Sequence, residues 1–157
     1  MGVLFDYFRA PDGQAVDELM AANDGMVIRA DRAPLVDAVE SKLEYAVTLG
    51  MLVAFARDVE WSPEIMGDTF AWPPDGEEDE EYDGPWVVQL GDDARDTLAG
   101  ISDDEMSGLS ERWGQIEELA RSEPLAPDAM LPIMGDLVGL ARRAHAAGDH
   151  LYCWICL

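Results

Sequence analysis

Four side chains near the C-terminus are of the types from which metal and redox sites are built: His145, His150, Cys153 and Cys156. Two thiols three apart with two imidazoles nearby have the ligand chemistry of zinc. Their spacing argues against it. The stretch from Leu151 to Leu157 reads as a strand, where side chains three apart leave opposite faces, and a single ion needs its ligands to converge. A reactive dithiol fails for a related reason. Such a pair sits at a helix N-terminus, which lowers the thiol pKa, and here the sequence stops at Leu157. The expectation is therefore no metal and no cofactor, with Cys153 a small core hydrophobe and Cys156 a partly packed thiol.

Carboxylates are the other abundant chemistry. Asp75-Gly76-Glu77-Glu78-Asp79 has oxygens enough for calcium, but not the alternating ligands and distal glutamate of an EF-hand loop. Asp92, Asp93 and Asp96 read as first-turn helix residues favoured by the helix dipole. The sequence contains no G-x-S-x-G elbow, Walker loop or G-x-G-x-x-G. With two histidines, acid–base catalysis would rest on carboxylates, for example Glu60 and Asp68, and nothing selects that pair from the other acids. The leading expectation is a non-catalytic binding or accessory module, and the alternative is a small enzyme with a carboxylate-lined pocket. For binding, Trp61, Phe70 and Trp72 lie beside an acidic run that includes Glu77, Glu78, Glu80 and Glu81. Aromatic anchors rimmed by acid suit a basic protein partner.

The charge balance agrees. Thirty-three acidic residues face ten basic ones, a net of −23, and Lys42 is the sole lysine. A nucleic-acid binder needs a cationic footprint, and this chain repels phosphates. Apolar runs such as Met51 to Phe55 fall far short of the about 20 residues that span a membrane. The first residues form no signal peptide, and Asp6 stands where a myristoylation signal needs Ser or Thr. A cytoplasmic location is expected, with no disulfide required. Few lysines amid many alanines and aspartates suit a GC-rich or a salt-adapted source.

The elements that must position these groups follow from periodicity. Val3 to Phe8 predicts a strand, and Asp12 caps a helix over Gly13 to Ala22 that Asn23-Asp24-Gly25 ends. Pro34 opens a second helix carrying Leu35, Val36, Val39 and Leu43. Ala46 to Arg57 is apolar nearly all round and reads as the buried central helix, with Gly50 marking a close crossing with another helix. Glu60 to Gly84 is irregular. Within it, Asp75 to Gly84 carries seven acidic side chains and reads as a flexible loop. Trp86 to Leu90 returns as a strand. Ser102 and Glu105 form a capping box ahead of a helix with Met106, Leu109, Trp113, Ile116 and Ala120 on one stripe. Pro127 or Pro132 opens the last helix, Gly148 closes it, and a strand follows.

Together these predict a single α+β domain over residues 1–157. A small, mostly antiparallel sheet contains the N-terminal, C-terminal and Trp86 strands and is covered by several helices. The Met1-Gly2 start with its Phe/Tyr-rich strand resembles the YfbM-like family of uncharacterised bacterial proteins. So does the Ala146-to-His150 step into a final hydrophobic strand. In that family the central helix starts with a tryptophan-and-histidine signature. The stretch from Glu44 to Arg57 keeps Leu49, Leu52 and Phe55 but has neither residue. The resemblance implies a compact α+β fold and carries no assigned activity or catalytic residue.

Overall fold

A computed structural model describes residues 3–28, 36–75, 81–121 and 129–157. The first strand, β1 (Leu4–Ala10), splits its side chains between two cores: Phe5 and Tyr7 to one, Phe8 and Ala10 to the other. The Asp12 carboxylate accepts the Ala15 N–H at 2.9 Å and caps α1 (Gly13–Ala22). The next described element is a correction. The helix expected from Pro34 onward is instead a strand where it is described, β2 (Ala38–Ser41), antiparallel to β1 from Phe5↔Ser41 to Phe8↔Ala38. Val39 and Leu43 fit a helical period, but the outer edge of β1 offers a whole row of hydrogen bonds, and pairing there overrides the local pattern.

The central helix begins wide. Tyr45–Leu49 form a π-turn, and α2 (Gly50–Arg57) continues it. The Glu44 carboxylate accepts the N–H groups of Ala46, Val47 and Thr48 at its start. The Gly50 N–H goes to Tyr45 and Val47, which frees the Ala46 carbonyl for the indole N–H of Trp61 at 2.9 Å. A second indole, that of Trp113, donates to the Thr48 carbonyl at 2.7 Å. The close crossing expected at Gly50 is not with another helix: what packs against Gly50 is the Trp61 and Ile65 side chains of the following loop. A Cβ there would lie 2.8 Å from the Trp61 Nε1.

The segment expected to be irregular from Glu60 contains a strand, β3 (Thr69–Trp72), paired with β4 (Trp86–Gln89) across a bulge between Phe70 and Trp72. Then come α3 (Asp92–Ala99), α4 (Asp103–Gly114), α5 (Glu117–Arg121), α6 (Met130–Ala147) and β5 (His150–Cys156). The Ser102–Glu105 capping box is present. The single helix expected beyond it is broken at Gln115 and Ile116, directly after Gly114, a residue of low helix propensity. Asp92 and Asp93 occupy the first turn of α3, whereas Asp96 falls one turn later than expected. Pro132 lies in the first turn of α6, and Gly148 ends it at φ 71°. Pro127 lies outside the described residues.

All five strands form one antiparallel sheet in the order β2-β1-β5-β4-β3. The two terminal strands pair side by side, from Leu4↔Cys156 to Ala10↔His150. The fold is α+β. One face packs Tyr7, Val88, Leu151 and Cys153 against α2, α3, α4 and α6. The other packs Phe8, Val87, Tyr152 and Trp154 against α1. Among the described residues no helix is long and apolar enough to cross a membrane.

Candidate functional site

A concavity opens where α2 gives way to a loop. Asp58 ends α2 in the left-handed conformation at φ 56°. The chain then turns through Ser62–Ile65, whose ends close by a 3.1 Å backbone bond, and reaches Gly67 at φ 58°. The Gly91 N–H donates to the Met66 carbonyl at 2.8 Å and pins this loop to the end of β4. The two backbones nearly touch there. A Cβ on Gly91 would lie 3.0 Å from the Met66 oxygen and 3.2 Å from the Gly67 Cα, so glycine permits the junction. Beyond Gly91 the first turn of α3 forms the opposite wall.

The resulting cleft has a volume of about 580 Å³. Met66 and Ala94 are buried at its base, while Glu60 and Glu64 on the loop and Asp92 and Asp93 on α3 are exposed around it. Arg57 lies in the same lining, its Nε donating to the Thr97 hydroxyl at 2.8 Å. That hydroxyl in turn donates to the Asp93 carbonyl at 2.8 Å. Such a lining is mainly anionic with an apolar floor, and it can receive a cationic group that carries an alkyl stem.

Behind α3 runs a chain of charge-assisted bonds. His150 and Asp92 are 2.6 Å apart, and His145 and Asp96 are 2.9 Å apart. Arg95 contacts both aspartates and donates to the Asp149 carbonyl. Arg9 bridges Asp149 and Asp37, each at 2.7 Å, and Arg143 forks onto Asp37. Hydrogen bonds from Arg95 and His145 hold the Asp96 carboxyl below the ordinary aspartate range. Bonds from Arg143 and then Arg9 do the same for Asp37.

The residues singled out from the sequence are dispersed. His145 and His150 are partnered by α3, while the cysteines part as a strand requires: Cys153 in the larger core, Cys156 against the smaller one. Burial pushes the Cys153 thiol well above its ordinary pKa, so it is no ready thiolate for metal or redox chemistry. Trp61 is tied to Ala46 and packed on Gly50. Phe70 pairs with Val88 and Trp72 with Val87, residues that belong to different cores. The three aromatics thus form no common patch. Glu81 is exposed, while Glu77, Glu78 and Glu80 lie outside the described residues. Glu60 reaches the cleft, but Asp68 accepts the Tyr45 hydroxyl at 3.1 Å instead. Reading the sequence missed Arg57, Glu64 and the cleft itself. Gly91, just after the apolar Trp86-to-Leu90 run, was the available signal, whereas Gly67 lies in a segment that reads as irregular. Nothing local marks the two histidine–aspartate pairs, which are 49 and 58 positions apart.

Comparison of the chain with models of known families, with curated proteins and with solved structures finds no match.

Proposed function

We propose that this protein is a non-catalytic binding module that engages a basic protein partner through its acidic surface. One observation carries the reading. Each of the seven arginines among the described residues is turned to a partner within the fold. Arg9, Arg95, Arg121, Arg142 and Arg143 meet carboxylates, Arg57 meets Thr97, and Arg112 lies 4.3 Å over the Phe55 ring. These arginines are engaged by groups of the same chain, and a large acidic excess remains over them, which favours a cationic partner and disfavours phosphates. Action in the cytoplasm and kinship with the YfbM-like family of bacterial proteins belong to the same proposal.

The cleft favours a second reading, a small enzyme, because four carboxylates approach one concavity. General acid catalysis calls for a carboxyl withdrawn from water, however, and these four are exposed. Binding is the better fit. The test is affinity capture from native lysate at low and moderate salt, with and without Glu77, Glu78, Glu80 and Glu81 changed to Gln. A basic protein retained at low salt, released at moderate salt and weakened by the substitutions supports the reading. Capture indifferent to both salt and substitution, or no capture, overturns it.

A further inference from the structure

Resting on that reading, we infer that the basic partner docks in the cleft between the 58–67 loop and the first turn of α3. The occupant is a lysine or arginine side chain presented by the partner. Such a side chain needs an apolar trough for its methylenes and carboxylates at the far end for its charge. The trough is present. Val59, 53% exposed, and half-buried Ile65 flank it, over the buried Met66 and Ala94. Its volume, about 580 Å³, lies within the range of ligand clefts.

Charge complementarity selects the occupant. The lining carries four carboxylates against the single guanidinium of Arg57, which Thr97 holds through its Nε. Asp92 is engaged by His150 and Arg95. Glu60, Glu64 and Asp93 have no ion pair among the described residues, and they stand on both sides of the cleft. The walls are also fixed in advance by the Gly91–Met66 bond and the Gly67–Gly91 contact, so an incoming side chain orders little besides itself.

The experiment is calorimetric titration of the protein with an oligolysine peptide and, separately, with spermidine. Three variants accompany the parent, each with an unchanged melting temperature. Glu60→Gln/Glu64→Gln/Asp93→Asn removes the cleft charges. Asp17→Asn/Asp24→Asn/Glu111→Gln removes as much charge from exposed sites elsewhere. Val59→Ser keeps every charge and strips the trough. The expected result is peptide binding that the cleft variant weakens about tenfold or more. The distal variant should change it by less than about twofold, and Val59→Ser should weaken it as well. Equal losses in the cleft and distal variants, or no effect of Val59→Ser, overturn the cleft while leaving the acidic-surface reading in place. No peptide binding by the parent overturns both. Spermidine binding as tightly as the peptide and displacing it makes the occupant a small amine, which also overturns the inference.

Discussion

Two buried tyrosines show how a single hydroxyl decides the sign of a substitution. The Tyr7 hydroxyl donates to the Leu43 carbonyl at 2.6 Å, and burial pushes its pKa well up, so it remains a neutral donor. The Tyr152 hydroxyl is equally buried but has no hydrogen-bond partner among the described residues. Removing one member of a buried pair leaves the other desolvated and unmet, whereas removing an unmet group forfeits nothing. Tyr7→Phe is therefore expected to cost about 1–3 kcal/mol. Tyr152→Phe should be neutral or stabilising by up to about 1 kcal/mol, its ring still stacked on Phe8. Urea unfolding of both variants checks this. A Tyr152→Phe loss as large as that of Tyr7→Phe would mean the Tyr152 hydroxyl has a partner after all. At this scale the sequence was legible where a side chain acts on its own neighbourhood, as with the Asp12 cap and the Ser102–Glu105 box. It was illegible where partners are far apart in the chain, as with His150 and Asp92.

At the scale of elements, the elements misread at sequence level were those that depend on others. β1, β4 and β5 announce themselves by apolar and aromatic runs. β2 and β3 are four-residue edge strands with one hydrogen-bonded neighbour each, and only pairing makes them strands. The cleft was hidden for the same reason, since its walls come from a loop and a helix joined by one backbone bond. Asp37 shows what such long-range joins are worth. It sits just before β2 and ties β1 through Arg9 and α6 through Arg143. Its carboxyl is held below the unfolded value of about 3.9. Its contribution is thus present above that value and disappears as pH falls through the lower folded one. The side chain is 28% exposed, so solvent screening keeps the effect modest. Asp37→Asn should cost about 1–2 kcal/mol at neutral pH and progressively less below about pH 4. Urea midpoints followed by tryptophan fluorescence in dilute solution suit the measurement, because the isoelectric point is near 4.1. A gap that persists undiminished at the acid end would assign the loss to packing and not to charge.

For the whole molecule, the question is what holds together a chain with a net charge of −23. Mutual repulsion of that size works against any compact state, although screening over about 8 Å in physiological salt confines it to near neighbours. The opposing force is the burial of two apolar cores packed on the two faces of one sheet, and β5 is the middle strand of that sheet, with β2-β1 on one side and β4-β3 on the other. The last residues of the sequence therefore join two halves that have no other strand between them. β5 also feeds both cores at once, placing Leu151 and Cys153 in the larger and Tyr152 and Trp154 in the smaller, all buried. Burying each large side chain contributes about 1.5–3 kcal/mol, and the backbone bonds to β1 and β4 vanish with the strand. Deleting Tyr152 to Leu157 is thus expected to remove stability comparable to the whole of a typical domain's, about 5–15 kcal/mol. The truncated chain should show no cooperative thermal transition and should expose its remaining tryptophans to solvent quenchers. A truncated protein that still melts cooperatively near the parent temperature would show that the two halves of the sheet hold without their central strand, and that the helical layer carries the fold.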